Sequence, residues 1–154
     1  MFIPIIIPIQ RFPIYIKKKE LEDYIFKQKK QVKVAYSIVY IGVMLVQIIM
    51  AAVVLSKLNL VYKDVGLQSP VYSVPLILVS LLLGIICLAI SLNIPSLNED
   101  KVKKLREDTD EMVTINSKLV NPKIDILGLI YLLFSVAVLV VSIILPIFIL
   151  TSSV

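Results

Sequence analysis

The chain has 154 residues, of which 58% are hydrophobic and 18% are charged, and its formal net charge at pH 7 is +5. Soluble domains have about 45–50% apolar residues, so this composition excludes an ordinary soluble protein. The chain also has no histidine and only one cysteine, which excludes histidine-based catalysis, histidine-ligated metal sites and an intramolecular disulfide.

Residues 1–16 form an apolar strip that contains Pro4, Pro8 and Pro13. Because proline lacks a backbone N–H and clashes with the preceding turn, three prolines prevent a regular helix of useful length. We expect this strip to be irregular, and either to lie on the membrane surface or to dock into a partner subunit.

Residues 17–33, which begin at Lys17 and end at Lys33, are predicted to form a basic amphipathic helix. One face has residues at helical spacing that are apolar except for one amide, and it consists of Leu21, Ile25, Gln28 and Val32. Each lysine near a membrane surface attracts anionic lipid by about 1 kcal/mol, so the segment is a candidate binding region for anionic lipid head groups. The same charges could instead act only as an orientation signal. A nucleic-acid partner is not expected, because nearness to a membrane already accounts for the charge.

Three segments without charged residues are long enough to cross a bilayer, since a spanning helix needs about 20 apolar residues. We therefore predict three transmembrane helices arranged as a bundle. The predicted segments are the amino-terminal region 1–33, the first span 34–55, a connector 56–73, the second span 74–94, a connector 95–125, the third span 126–150 and a tail 151–154.

The connector 95–125 is predicted to contain a short polar helix over residues 97–116. Ser96 and Glu99 stand three positions apart, as in a capping box that starts a helix. An apolar seam at helical spacing follows, consisting of Val102, Leu105, Thr109 and Met112. We expect this seam to be buried, either against the basic amphipathic helix or against a partner.

Lys and Arg residues are distributed unevenly among the segments outside the spans. Eight lie in residues 11–33 and six in residues 95–125, whereas the connector 56–73 has two and the tail 151–154 has none. Loops rich in Lys and Arg remain in the cytoplasm, and an odd number of spans places the two basic regions on one side. We predict that the amino terminus is cytoplasmic and the carboxyl terminus outside, in the cell membrane.

Motifs that carry chemistry are scarce in this sequence. It has no glycine-rich nucleotide-binding motif, and the predicted spans contain no Asp, Glu, Lys or Arg of the kind that marks ion and proton pathways. The acidic residues between Glu99 and Glu111 do not have the spacing of a calcium-binding loop, and they alternate with Lys and Arg as on a solvated helix face. We predict a protein that is not an enzyme and that has no cofactor and no metal site.

Each predicted span carries a stripe of small or weakly polar residues whose spacing keeps them on one helix face. Small residues let helices approach closely in lipid, and hydroxyl and amide groups bond across the contact. The candidate helix-packing residues are Ser37, Tyr40, Met44, Gln47 and Ala51 in the first span, Ser80, Gly84, Cys87 and Ser91 in the second, and Gly128, Ser135 and Ser142 in the third.

Three positions on these stripes give sharper expectations. Gln47 lies near the middle of the first span and should have a partner, because an unpaired amide in hydrocarbon is costly. Gly84 should lie where another backbone passes close. Pro146 has no N–H, so the carbonyl of Ser142, four residues earlier, is left free to accept another hydrogen bond.

The predicted fold class is therefore an all-α membrane protein, with three transmembrane helices, a basic amphipathic amino-terminal helix and a short cytoplasmic helical connector. Small size and the lack of a chemical motif favour an accessory, scaffold or assembly subunit of a larger membrane complex. Its partners would be the lipid bilayer and other membrane subunits or further copies of the chain. The alternative is a small homo-oligomeric channel or transporter with a path lined by the Ser and Gln residues of the stripes.

Overall fold

The computed structural model describes residues 12–153, so residues 1–11 of the predicted apolar strip lie outside the described residues. In chain order, the elements are β1 (Ile14–Lys17), a 3₁₀ turn (Lys18–Glu20), α1 (Leu21–Ile49), a π-helical segment (Met50–Leu55), α2 (Ser56–Asp64), α3 (Ser73–Asn93), α4 (Glu99–Glu107), β2 (Met112–Ile115), α5 (Pro122–Leu139), a second π-helical segment (Val140–Ile144) and α6 (Leu145–Ser153). The fold is mostly helical, but the strands show that the prediction of an all-α protein was wrong in detail.

Three continuous helical segments are long and apolar enough to cross a membrane, namely Lys18–Asp64, Ser73–Asn93 and Pro122–Ser152. Large apolar side chains on their surfaces are exposed, among them Leu82 at 61% and Ile130 at 57%. Contiguous apolar surface of this kind is unfavourable in water and typical of helices that face lipid. Length and composition thus support membrane integration.

The first helical segment continues to Asp64, beyond residue 55, where the predicted first span ends. No proline or glycine lies between Gly42 and Gly66, so nothing in the backbone stops the helix. It ends where Gly66 adopts a φ of 76°. There the Gly66 N–H donates to the Lys63 carbonyl at 3.0 Å and the Leu67 N–H to the Tyr62 carbonyl at 2.8 Å. These are the two hydrogen bonds of a Schellman motif, for which glycine is the preferred residue.

The chain divides into two compact units. Of the described residues, unit 1 combines 12–38 with Leu88–Leu129, and unit 2 combines Val39–Cys87 with 130–153. Unit 1 contains the strands, α4 and most of the charged residues, whereas unit 2 consists mainly of apolar helix.

In unit 1, β1 pairs with β2 in an antiparallel sheet, with Ile14 opposite Ile115 and Ile16 opposite Val113. Val113 and Ile115 are at most 2% exposed. β-Branched side chains pack well on a pleated surface, and these alternate with outward-facing residues as a half-buried strand requires. The helix predicted over residues 97–116 therefore ends at Glu107, because residues 112–115 pair with β1 and bury the side chains of Val113 and Ile115.

Helix α4 begins with a different cap from the one predicted. The side chain of Asn98 accepts hydrogen bonds from the backbone N–H groups of Asp100 at 3.1 Å and Lys101 at 3.3 Å. Asn98 is thus the N-cap residue, and the predicted capping box of Ser96 with Glu99 was wrong. The hydroxyl of Ser96 is buried and has no hydrogen-bond partner among the described residues.

Of the two apolar faces predicted to be buried in this region, one is buried and the other is not. The face of the basic helix is buried as predicted, since exposure is 2% at Leu21, 7% at Ile25, 8% at Gln28 and 0% at Val32. The predicted seam does not form: Val102 is buried and Leu105 half-buried, but Thr109 and Met112 are exposed. The seam assumed helical spacing, and beyond Glu107 the chain is no longer helical.

Unit 2 has its own apolar core. Its buried members are Leu55, Leu58, Tyr62, Ile77, Val138 and Ile143. The two π-helical segments, Met50–Leu55 and Val140–Ile144, both lie in this unit. Such wide turns accommodate an extra residue and occur frequently at functional sites.

Candidate functional sites

The twelve helix-packing candidates differ in their solvent exposure. Partly exposed positions are Ser37, Met44 and Ala51. Buried positions are Tyr40, Gln47, Ser80, Gly84, Cys87, Ser91, Gly128, Ser135 and Ser142. The hydroxyl of Ser37 donates to the Lys33 carbonyl of its own helix at 2.9 Å, so it makes no contact with another helix through this bond.

Gln47 and Ser80 join α1 to α3 within unit 2. The amide nitrogen of Gln47 donates to the hydroxyl oxygen of Ser80 at 2.7 Å, and both residues are 0% exposed. The expectation that Gln47 has a hydrogen-bond partner is confirmed. Its amide oxygen has no partner among the described residues, so the bond satisfies one half of the amide.

Two further hydrogen bonds of unit 2 are made to backbone carbonyls at and near Pro146. The hydroxyl of Ser73 donates to the Ser142 carbonyl at 2.9 Å, which is the carbonyl that Pro146 cannot engage. The hydroxyl of Tyr62 donates to the carbonyl of Pro146 itself at 2.7 Å. The expectation that Ser142 offers a free backbone acceptor is thus confirmed. Ser73 and Tyr62 were not among the candidate residues, because they lie in or beside the predicted connector and outside the stripes.

Gly84 lies against the side chain of Tyr131. A Cβ atom at this glycine would meet the Tyr131 hydroxyl oxygen, and it would lie 2.7 Å from Tyr131 Cζ and 3.1 Å from Met44 Cγ. The ring of Tyr131 also packs against that of Tyr40, with ring centroids 5.5 Å apart and planes inclined by 38°. The close neighbour of Gly84 is therefore an aromatic side chain, and the expected close backbone was wrong.

Within unit 1, polar side chains tie the amino-terminal region to the segment 95–125. The ammonium group of Lys18 donates to the carbonyls of Leu105 at 3.2 Å, Arg106 at 2.8 Å, and Asp108. A helix end leaves such carbonyls without partners, and a lysine side chain can satisfy them. Lys18 therefore stabilises the end of α4 from a position far away in the sequence.

Arg106 and Glu22 form a second tie in unit 1. The guanidinium group donates two parallel hydrogen bonds to the carboxylate, at 2.7 and 2.8 Å. The hydrogen bond and the charge of Glu22 raise the pKa of Arg106 above its ordinary value. Because both side chains are more than half exposed, the pair contributes little free energy of unfolding but fixes the geometry of the two helices.

Two further contacts within unit 1 lie where apolar helices begin or end. The ammonium group of Lys33 donates to the Leu92 carbonyl in the last turn of α3 at 3.1 Å. The hydroxyl of Tyr36 donates to the carboxylate of Asp125 in the first turn of α5. A carboxylate in the first turn is also favourable to the helix dipole. The sequence gave no sign that Tyr36 is the partner of Asp125.

A cleft of about 420 Å³ lies in unit 1 between α1, α4 and the residues just before α4. Its charged lining consists of Lys29, Lys103, Arg106 and Glu99. Apolar side chains that include Ile25 and Val102 form other parts of the lining. The buried Ser96 also belongs to it. The cleft thus combines apolar walls with an excess of positive charge.

Among the described residues, no group of three or more His, Cys, Asp or Glu side chains could hold a metal ion. Cys87 is a free, buried thiol in α3. Comparison of the chain with protein-family models, with curated proteins and with solved structures finds no match.

Proposed function

We propose that this chain is a non-enzymatic integral membrane protein that serves as an accessory, scaffold or assembly subunit of a larger membrane complex. The observation that carries the proposal is an exposed apolar patch on unit 1. It is formed by Tyr15 of β1 and Met112 of β2, which are 62% and 51% exposed. Aromatic residues and methionine are enriched in protein interfaces relative to the rest of the surface.

The register of the sheet makes these two residues neighbours. Tyr15 lies opposite Thr114, and Met112 lies opposite Lys17. Tyr15 and Met112 are therefore a diagonal pair on the face that points away from the buried side chains, and such pairs lie about 7–8 Å apart. We call this pair the sheet patch, and we propose that a partner subunit covers it.

The edges of the sheet offer a second kind of contact. In the part of the chain that the structure describes, the sheet has two strands, so each strand has one edge whose backbone groups lack a strand partner. Such edges are places where a strand of another protein can add. A partner that covered the sheet patch could therefore also extend the sheet.

The placement of the Ser and Gln residues favours the accessory role over the channel. Gln47, Ser80 and Ser142 are each 0% exposed within a single chain, and Ser135 is 1% exposed. Side chains that are buried inside one chain do not line a path between copies of that chain. The bond of Gln47 to Ser80 is instead of the kind that holds helices together in lipid.

We further propose that unit 1 lies in the cytoplasm and the carboxyl terminus outside, in the cell membrane. The two Lys- and Arg-rich regions of the sequence belong to the same unit, which supports their placement on one side of the bilayer. The excess of Lys and Arg on that side favours the cytoplasm.

The accessory role is tested by purifying the tagged full-length chain from its native membranes in a mild detergent. We expect a hetero-complex of fixed stoichiometry, which mass spectrometry of the intact assembly would resolve. The double variant Tyr15→Ser with Met112→Ser should lose the partner, because it removes the apolar area of the sheet patch.

The matched control is Lys17→Gln with Thr114→Ser, which alters the same sheet face without removing large apolar side chains. It should retain the partner. A homogeneous homo-oligomer in the unmodified protein would contradict the accessory role and support the channel. Equal retention of the partner by both double variants would show that the sheet patch is not the interface.

A further inference from the structure

The cleft of unit 1 lies where the charged part of α1 gives way to its apolar part. From Val34 onward the sequence has no charged residue until Lys57, and Lys33 is held against the Leu92 carbonyl at the end of α3. Lys29, which lines the cleft, is four residues before Lys33 and so one helical turn away. The cleft is thus close to the apolar part of α1, which is long and apolar enough to cross a membrane.

The charges around the cleft favour an anion. Lys29, Lys103 and Arg106 contribute three positive charges, and Glu99 contributes one negative charge. Arg106 is already held by Glu22 through two short hydrogen bonds. Among the described residues, the ion-pair partner of Lys103 is the exposed Glu107 at 3.8 Å. Lys29 and Lys103 are therefore the cations best able to turn towards a ligand.

The walls of the cleft favour a ligand that is apolar over part of its length. Pro95, which follows the end of α3, is an exposed apolar residue of the lining, whereas Ile25 and Val102 are themselves largely buried. A free phosphate ion would use the lysines and leave the apolar lining in contact with water. A phospholipid places its phosphate beside apolar glycerol and acyl groups, and it is present at the membrane surface at high local concentration.

From this geometry we propose that the cleft is a binding site for one anionic phospholipid, with Lys29 and Lys103 contacting the head-group phosphate and the exposed Pro95 contacting the apolar part of the lipid. The site is more specific than a general attraction of the basic helix for a charged surface, because it selects two lysines on two different helices. It does not depend on the accessory role, since any integral membrane protein meets such lipids.

The test uses the purified full-length protein in a nonionic detergent, where no extended charged surface is present. Phosphatidylglycerol is titrated in, and binding is followed by native mass spectrometry and by the rise in melting temperature. We expect one saturable site for phosphatidylglycerol and much weaker binding of phosphatidylcholine with the same acyl chains. Glycerol phosphate, which has the phosphate without acyl chains, should not raise the melting temperature at the same concentration.

Two matched double variants locate the site. Lys29→Gln with Lys103→Gln should weaken phosphatidylglycerol binding up to about 25-fold, since one partly exposed ion pair changes affinity up to about fivefold. Lys30→Gln with Lys104→Gln removes two neighbouring lysines that do not line the cleft, and it should leave binding within about threefold of the unmodified protein. Equal losses in both double variants would overturn the proposal in favour of a diffuse surface effect.

The sign of the charge effect gives a further test. Among the described residues that line the cleft, Glu99 carries the one negative charge. Glu99→Gln should therefore tighten phosphatidylglycerol binding, by up to about fivefold. Weaker binding in this variant would contradict an anionic ligand. If glycerol phosphate binds as strongly as phosphatidylglycerol, the site binds free phosphate compounds. This result would contradict the proposal of a phospholipid site.

Discussion

Gly84 is a residue at which the helices of unit 2 leave almost no room. Even the Cβ of alanine would approach Tyr131 Cζ to 2.7 Å, which is shorter than real Cβ contacts and forces one group to move. The ring that it would displace is itself packed against Tyr40. A larger side chain at this position therefore displaces Tyr131 and also disturbs the packing of Tyr131 against Tyr40.

We predict that Gly84→Leu lowers the free energy of unfolding by about 1–3 kcal/mol, the usual cost of overpacking a well-packed interior. Leu82→Phe is the control, because Leu82 is 61% exposed and lipid accepts the extra bulk. The measurement is the melting temperature of each variant in detergent. If both variants melt at the same temperature as the unmodified protein, Gly84 is not a close-packed position.

The hydrogen bond of Ser73 contributes more to stability because Pro146 has no N–H to give to the same acceptor. Its hydroxyl supplies the donor that Pro146 cannot give to the Ser142 carbonyl. Without that donor, a buried carbonyl is left unpaired, which costs about 1–3 kcal/mol. Gln47→Leu removes a bond between two side chains, and such bonds in membranes average about 0.6 kcal/mol.

We therefore predict that Ser73→Ala destabilises the protein more than Gln47→Leu does. The double variant Ser73→Ala with Pro146→Ala should recover most of the loss, because alanine at position 146 restores a backbone N–H four residues after Ser142. Thermal unfolding of the three variants and of Pro146→Ala alone gives the coupling between the two sites. Additive effects of the two substitutions would rule out the shared carbonyl as the cause.

At the scale of elements, hydropathy and helical spacing predicted the apolar helices and the buried face of the basic helix. These features depend on neighbouring residues, so a single sequence reveals them. The strand Met112–Ile115 depends on pairing with Ile14–Lys17, which is almost a hundred residues away in the chain. No pattern within residues 112–115 indicates that pairing. Met112 also continues the helical spacing of Val102 and Leu105, which led to the prediction of a helix there. The bonds of Lys18 and Tyr36 were missed for the same reason.

The register of the sheet can be tested with paired cysteines in a Cys87→Ala background. Tyr15 and Thr114 lie directly opposite each other, and such pairs have Cβ atoms about 4.5–5.5 Å apart. Tyr15→Cys with Thr114→Cys should form a disulfide under mild oxidation, as detected by mass spectrometry of the digested protein. Tyr15→Cys with Asn116→Cys, shifted by two residues, should do so much less readily. Equal yields would contradict the register.

At the scale of the whole molecule, the two basic regions of the sequence are connected by specific bonds as well as by charge. β1 pairs with β2, Lys18 binds the end of α4, and Arg106 binds Glu22. These contacts require both regions to be on the same side of the membrane, which is the arrangement that three crossings produce. The sequence predicted this arrangement from the number of spans and the distribution of Lys and Arg, and the contacts within unit 1 agree with it.

The side on which unit 1 lies is the last prediction. In a Cys87→Ala background, a cysteine at Asp64 should react with a membrane-impermeant thiol reagent added to intact cells, because the end of α2 is expected outside. A cysteine at Asp110 should react only after the cells are permeabilised, since the loop before β2 is expected in the cytoplasm. Both positions are exposed, so the difference in labelling reports the side of the membrane and not burial. The reverse pattern would place unit 1 outside, against the charge rule, and labelling of both positions in intact cells would contradict three crossings.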